Sequence, residues 1–288
     1  MAKGYILYNP LAGSGIAKED VKRLQKLLKG DTACFDITEI TDYAGFIGNM
    51  AQDDYLVIAG GDGTLNRFIN DTADIETAQE ILYYPTGSGN DFAREIGADE
   101  TPVSITRYLK NLPVVEVQGK NYRFINGVGF GIDGYCCQVG DELKARSVKK
   151  VNYTGIAIKG LLFYFAARNA KVTVDGTAYS YKKVWIAPTM HGKYYGGGMI
   201  PAPAQDRSSG KLSVMVFHGA GRLRTLCAFP GIFKGEHVKH TDMVTVHTGE
   251  KITVEFDRPT PLQIDGETVT DVMSYTAKAA VCNTEKTE

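Results

Sequence analysis

The chain has 288 residues and lacks both a disulfide framework and zinc-ligand spacing. Its five cysteines (Cys34, Cys136, Cys137, Cys227, Cys282) are scattered and odd in number, and no two form a CxxC pair. No apolar run reaches the roughly 20 residues a bilayer span needs. The most apolar stretch, Ile156 to Ala167, contains Lys159. The opening MAKGYILYNP enters a strand-like run without an apolar h-region or cleavage site, so no secretory signal is expected and the reading is cytoplasmic. Charge of one sign is also missing. The 32 Lys and Arg against 33 Asp and Glu leave a net charge of -1, which excludes global attraction to nucleic acid and requires any electrostatic partner to meet a local patch. The five histidines contain no HExxH pair. With 43% apolar and 23% charged residues the composition is globular, and the length points to two domains.

One pattern occurs three times in the first hundred residues. Tyr5–Tyr8 reads as a strand, followed by Asn9-Pro10-Leu11-Ala12-Gly13-Ser14-Gly15 and a helix through about Leu28. Tyr55–Ala59 leads into Gly60-Gly61-Asp62-Gly63 and a helix from about Thr64 to Ala73. Ile81–Tyr84 leads into Pro85-Thr86-Gly87-Ser88-Gly89-Asn90 and a helix from about Asp91 to Ile96. Another strand falls near Cys34–Ile40. Alternating strands and helices predict a doubly wound, Rossmann-like parallel sheet, in which all strand-to-helix turns share one edge. Three glycine-rich loops then converge there.

From about Val114 the pattern becomes antiparallel. Strands are predicted at 114–117, 122–125, 171–174, 183–187, 212–217, 243–247, 252–256 and 262–264, with hairpin turns at Asp175-Gly176 and Asp265-Gly266. Helices are expected near 153–169 and 221–234. The expected architecture is an α/β nucleotide-binding domain over 1–115, an antiparallel β-sandwich over 116–282, a cleft between them, and a tail at 283–288.

Glycine suits loops where phosphate oxygens approach the backbone, and a following helix offers free N–H groups to the anion. Asp62 stands out among these glycines. A carboxylate beside phosphates repels them unless it reaches a bound Mg²⁺, its water shell or a ligand hydroxyl. The loop lacks the Lys-Ser/Thr ending of a P-loop, so it is not that motif. A tight βα turn is the plain alternative for any one loop alone.

The residues Asn9-Pro10 with Gly13 to Gly15, Gly60 to Asn66, and Gly87-Ser88-Gly89-Asn90-Asp91-Phe92-Ala93-Arg94 resemble the diacylglycerol kinase catalytic family. That family includes bacterial lipid kinases, sphingosine kinases and ceramide kinases. The resemblance continues through Phe124-Ile125-Asn126 with Gly129, Gly131 and Asp133, then Gly196-Gly197-Gly198-Met199, then Gln263-Ile264-Asp265-Gly266-Glu267. It implies ATP and Mg²⁺ as cofactors, with ATP held by Asn9, Gly13, Ser14, Thr41, Gly60, Gly61, Asp62, Gly63, Thr64, Leu65, Asn66 and Ser88. It also implies Glu267 as the base that takes the acceptor's proton, with Asp62 and Asp133 as further catalytic acids and Asp62 as a metal contact. The family often carries a metal-supporting acid after its GGG motif. Ser209 stands at that place here, and Asp206, three residues earlier, is the substitute candidate; a solvated turn residue is its favoured reading.

Between Leu143 and Val174 there is no Asp or Glu, but there are seven basic residues, with Tyr153, Leu161, Leu162, Phe163, Tyr164 and Phe165 interleaved. Such a segment suits anionic headgroups, although apolar residues at helical spacing ordinarily face a core. A second such segment is Arg222 to Lys234. The expected partner is a lipid substrate at the membrane surface, met transiently, with no nucleic acid and no stable protein partner; exposed strand edges would allow a homodimer. The implied function is ATP-dependent phosphorylation of a lipid alcohol, diacylglycerol to phosphatidic acid. Two alternatives are an NAD kinase, which shares GGDGT, and a nucleotide-binding regulatory protein without turnover.

Overall fold

In the computed structural model the described residues are 2–10, 17–28, 30–87, 89–146, 148 and 151–280. The chain divides into two compact units, Met1–Lys110 and Asn111–Glu288. The expected tail, 283–288, lies outside the described residues.

In the first unit, β1 (Gly4–Tyr8), β2 (Thr32–Asp36), β3 (Tyr55–Gly60) and β4 (Glu80–Pro85) run parallel in the order β2-β1-β3-β4. A two-residue β5 (Val103–Ser104) adds antiparallel at the edge beside β4. The continuous apolar run of β3 marks a strand covered on both faces, and Leu56, Val57 and Ile58 are fully buried. One face packs Ile6, Val57, Ala59 and Tyr84 against Val21 and Leu24 of α1 (Ala17–Leu28). The remaining helices are α2 (Tyr43–Gly48), α3 (Asp62–Asp71), α4 (Asp91–Ile96) and α5 (Thr106–Leu109). From β1 the chain steps outward to β2 and then back across to β3. That reversal makes β1/β3 the switch point, where open α/β sheets bind ligands beyond their strand ends.

Two boundaries differ from the sequence expectation. Strand β2 ends at Asp36 rather than Ile40, because its carboxylate accepts the Thr38 N–H (2.8 Å) and hydroxyl (2.6 Å) and turns the chain. Helix α3 begins at Asp62, two residues before the expected start, with Gly61 as its cap.

The second unit is an antiparallel β-sandwich. Its strands are β6 (Val114–Val117), β7 (Lys120–Arg123), β8 (Gly127–Phe130), β9 (Arg168–Val174), β10 (Thr177–Val184), β11 (Thr189–Met190), β12 (Leu212–Phe217), β13 (Val244–Gly249), β14 (Lys251–Ile264) and β15 (Glu267–Lys278). They pair in the order β13-β12-β11-β8-β14-β15-β6-β7, with β9 also on β14 and β10 on β9. The expected strands 252–256 and 262–264 are one strand, β14. The intervening prolines, Pro259 and Pro261, lie where the ladder to β15 shifts register and needs no N–H from them. Both Asp-Gly pairs form the expected hairpin turns, with φ of 47° and 87° at Asp175 and Gly176, and 47° and 98° at Asp265 and Gly266. The helical segments are α6 (Ile132–Ala145), α7 (Tyr153–Lys159) running into a π turn at Gly160–Tyr164, and α8 (Arg222–Ala228) followed by a three-ten stretch, Phe229–Lys234. Among the described residues no helix is long and apolar enough to cross a membrane.

Phe130 of β8 stacks on Phe256 of β14 with ring centroids 4.1 Å apart, and both rings are buried in the sandwich core. Truncating Phe130 to Ala removes that stack and leaves a cavity. Urea denaturation should show a loss of about 3–5 kcal/mol; a loss below about 1 kcal/mol would mean the core closes over the gap.

Candidate functional site

In the first unit, β3 and β4 end side by side, Gly60 opposite Pro85, and the Thr86 N–H donates to the Gly60 carbonyl at 2.9 Å. The two chains then touch backbone to backbone. A Cβ on Gly61 would lie 3.0 Å from the Gly87 Cα, and one on Gly87 would lie 2.5 Å from the Gly61 Cα. Only glycine allows this approach, so the second and third glycine-rich loops converge as the spacing predicts. Asn9 lies one residue past Tyr8, which pairs with Ala59, on the other side of the switch point. Gly13, Ser14 and Ser88 lie outside the described residues.

Asp62 opens α3, and its carboxylate spans both loops. One oxygen accepts the Asp91 N–H at 2.9 Å and the other the Phe92 N–H at 3.1 Å, which caps the first turn of α4. Asn90, held left-handed at φ 50°, donates its side-chain amide to the Gly87 carbonyl at 2.7 Å and shapes the same corner. The first-turn amides of α3, at Asp62, Gly63 and Thr64, carry the partial positive charge of a helix N-terminus. Leu65 is fully buried in the core, and Thr64 and Asn66 are nearly so. Thr41 is exposed in the segment before α2, next to Asp42, which caps that helix through the Gly45 N–H at 2.8 Å.

In the second unit the Asp265-Gly266 turn is held from inside. The Asp265 carboxylate accepts the N–H groups of Ile125 (2.6 Å), Asn126 (2.9 Å) and Gly127 (2.9 Å), and the Asp265 N–H returns to the Gly127 carbonyl at 3.1 Å. Gln263 accepts the Gly266 N–H at 2.6 Å. Glu267 follows this turn, exposed and paired with Ile264. Leu262, Ile264 and Val269 face the sandwich core, so strand alternation puts Glu267 at the rim of that face and Gln263 on the opposite one.

Asp133 lies in the first turn of α6, on Gln263's side of the sheet. It is buried, the Tyr195 hydroxyl donates to its Oδ2 at 3.2 Å, and its Oδ1 takes no hydrogen bond. Burial pushes this carboxyl up to about 6, against the pull of the first-turn amides, the Tyr195 hydroxyl and the Gln263 amide. Asp133 and Glu267 are therefore not brought to one face.

The Gly196-Gly197-Gly198 run is left-handed throughout, at φ 61°, 82° and 104°. Reciprocal hydrogen bonds between Tyr195 and Met199 close it, and this sets Tyr195 against Asp133. Asp206 is an exposed cap: it accepts the Ser208 N–H (2.9 Å) and hydroxyl (2.7 Å), which hold its carboxyl below the usual range. That matches its reading as a solvated turn residue.

Spacing alone did not single out Tyr195, Gln263, Arg207 or His191. Arg207 donates to the Ile125 carbonyl, and burial beside that cation pushes the His191 imidazole down to about 3, so it stays neutral. The one sequence signal for them was proximity to the GGG and Gln-Ile-Asp-Gly-Glu motifs.

Among the described residues no cluster of three His, Cys, Asp or Glu side chains forms a metal cage. Mg²⁺ is commonly held without one, by one or two carboxylates together with water and ligand phosphates. Asp62, at the first turn of α3 beside the glycine-rich loop, is a carboxylate suited to that use. The first-turn amides of α3, which follow Gly60 and Gly61, suit a phosphate chain.

Residues 3–118 match the diacylglycerol kinase catalytic domain, and 126–280 match the YegS C-terminal NAD kinase beta sandwich-like domain. A Bacillus subtilis protein named diacylglycerol kinase is 25% identical over 284 residues, covering 93% of this chain and 90% of its own. A Mycobacterium tuberculosis protein of the same name is 25% identical over 271 residues, 86% of this chain and 84% of its own. The crystal structure of a Bacillus anthracis diacylglycerol kinase superposes with a TM-score of 0.61 at 17% identity, over 96% of this chain and 94% of its own, and shares the fold.

Two measurements test the local chemistry. Asp265→Ala strands three buried amides and should cost about 2–4 kcal/mol in urea denaturation; an unchanged midpoint would show the amides finding water. The raised carboxyl of Asp133 stabilises the fold below pH about 4, and that contribution is lost as pH rises through about 6. The stability of wild type relative to Asp133→Asn should therefore fall by about 2 kcal/mol from pH 4 to 7, and a flat difference would refute the shift.

Proposed function

Since the chain belongs to the diacylglycerol kinase catalytic family, we propose that it transfers the γ-phosphoryl group of ATP to the hydroxyl of a membrane lipid, with diacylglycerol as the acceptor and phosphatidic acid as the product. The observation that supports this most directly is the first turn of α3, whose amides follow Gly60 and Gly61 at the β1/β3 switch point, where open α/β sheets bind their ligands.

In this reading the amides of Asp62, Gly63 and Thr64 orient the phosphates. Bound with ATP, Mg²⁺ supplies charge neutralisation on the phosphates during transfer. Asp62 would hold the ion's water shell while it keeps α4 capped. Glu267 would accept the proton of the lipid hydroxyl as the phosphoryl group arrives. Among the described residues no hydrogen bond or ion pair occupies its carboxylate, and it sits on a turn whose backbone Asp265 and Gln263 hold in place. Such a mechanism relies on positioning and charge, without a covalent intermediate. Asp133 is a positioning residue here, acting through Tyr195 and Gln263. Asp206 receives no metal role.

The test offers the purified protein labelled ATP and Mg²⁺ with diacylglycerol in anionic vesicles, other lipid alcohols, and NAD. Label should enter a lipid, and Glu267→Gln should reduce transfer by about 100-fold or more with an unchanged urea midpoint, as befits an exposed side chain. Label in NADP would replace this reading with that of an NAD kinase. Nucleotide binding with no transfer to any acceptor would leave a regulatory protein.

A further inference from the structure

The loop that leads into β12 collects backbone carbonyls around one point. Gln205 is buried, and its Nε2 donates to the carbonyls of His191 at 3.1 Å, Asp206 at 3.2 Å and Lys211 at 3.0 Å. Carbonyl oxygens that converge in this way repel one another unless positive charge lies between them, and a cation is the usual filling. Here the two protons of a neutral amide serve, one of them shared between two oxygens. The surroundings fix which way the amide points. Turned over, its oxygen would face three carbonyl oxygens.

Ser209 stands where the family often carries a metal-supporting acid, and its chemistry is the reverse of an acid's. Its hydroxyl donates to the Asp206 carbonyl at 2.7 Å, and its oxygen accepts the Lys211 N–H at 3.2 Å. A carboxylate in that place would add negative charge to the carbonyls and draw in a cation. The hydroxyl instead gives its proton to a carbonyl that Gln205 also serves. The Asp206 carboxylate is engaged with Ser208, at 2.9 Å to the N–H and 2.7 Å to the hydroxyl. Spacing agrees with chemistry. Oxygens 3.0–3.2 Å from one nitrogen suit N–H donation. Mg²⁺ draws its oxygens in to about 2.0–2.1 Å and Ca²⁺ to about 2.3–2.6 Å. The residues present therefore do not fit a resident metal ion.

This closure braces the backbone near the candidate base. The His191 and Gly192 N–H groups donate to the Asn126 carbonyl, each at 2.9 Å, and Arg207 donates to the Ile125 carbonyl. The N–H groups of those same two residues point to Asp265. Gln205 thus ties together the segments that support the Asp265–Glu267 turn from behind.

We infer that the Gln205 amide, with the Ser209 hydroxyl, takes the place of a bound cation, so that this loop closes without a metal ion. The Mg²⁺ that accompanies ATP would then be the one divalent ion the reaction calls for.

The experiment is urea denaturation without nucleotide, in EDTA and in millimolar Mg²⁺ or Ca²⁺; the ion response is the difference in midpoint. Gln205→Met keeps the length of the side chain and removes its donors. Its folding equilibrium constant should fall by about tenfold or more, and equally in both media. Gln205→Glu puts a carboxylate among the three carbonyls and should lose at least as much in EDTA. Mg²⁺ or Ca²⁺ should restore about tenfold or more of that loss, because an ion that binds only the folded state stabilises it. Asp206→Asn, at a position where an amide oxygen can still accept from Ser208, should show the ion response of wild type. A Gln205→Met protein as stable as wild type overturns the inference, and so does a Gln205→Glu protein that neither ion restores. A wild-type ion response that Asp206→Asn diminishes also overturns it, because the loop then holds a cation of its own. These readings involve no phosphoryl transfer, so failure of the lipid-kinase reading leaves them untouched. Where that reading holds, transfer at saturating Mg·ATP should not rise further with free Mg²⁺. A rise that Asp206→Asn removes overturns the amide closure and leaves the kinase reading standing.

Discussion

The carboxylate of Asp265 takes up three successive backbone N–H groups, and much of the second unit is organised around that contact. Left alone, the amides of Ile125, Asn126 and Gly127 would be buried donors without acceptors, each a cost comparable to a lost hydrogen bond. Turning all three toward one charge makes the bonds stronger than neutral ones and leaves the opposite side of the segment free. The Asn126 carbonyl then accepts His191 and Gly192, each at 2.9 Å, and the Ile125 carbonyl accepts Arg207. A turn that would ordinarily be mobile becomes a rigid mount for Glu267. Asp62 solves the same problem in the first unit, where one carboxylate answers the first two amides of α4.

Both acids sit inside motifs that read as chemistry in the sequence, and in the structure both also carry backbone. Asp265 is the structural member of its Asp-Gly-Glu run and Glu267 the exposed one. Spacing cannot separate them, because only the fold determines which side chain turns inward.

The parallel sheet was legible because its strands are uninterrupted apolar runs followed by glycine. The convergence of Gly61 and Gly87 followed from the parallel topology. The Asp-Gly hairpins were legible because few residue pairs accept two left-handed conformations in succession. Helix α6 was not, and its composition explains the miss: Gly134, Cys136, Cys137 and Gly140 blur the helical period, and Gly134 is there because α6 packs against the backbone of β14. Strand β15 was hidden by its exposed polar face, with Val272, Tyr275 and Ala277 as its buried residues toward the C-terminal end. The contacts of Tyr195 and Gln263 with Asp133 were invisible for a simpler reason, although Gln263 stands in a quoted motif: separations of 62 and 130 positions leave no local pattern.

Strand β6, at 114–117, forms its long-range pairing with β15, at 275–278. On a ribosome the first strand of the sandwich therefore emerges about 160 residues before its neighbour, and β8 waits almost as long for residues 262–264 of β14. The α/β unit contains all of its own strand partners by Lys110 and can close while synthesis continues. The sandwich cannot complete its sheet until the last strand has left the tunnel. Its apolar edges spend that interval unpaired, which makes the growing chain, more than the finished protein, the stage most in need of a chaperone.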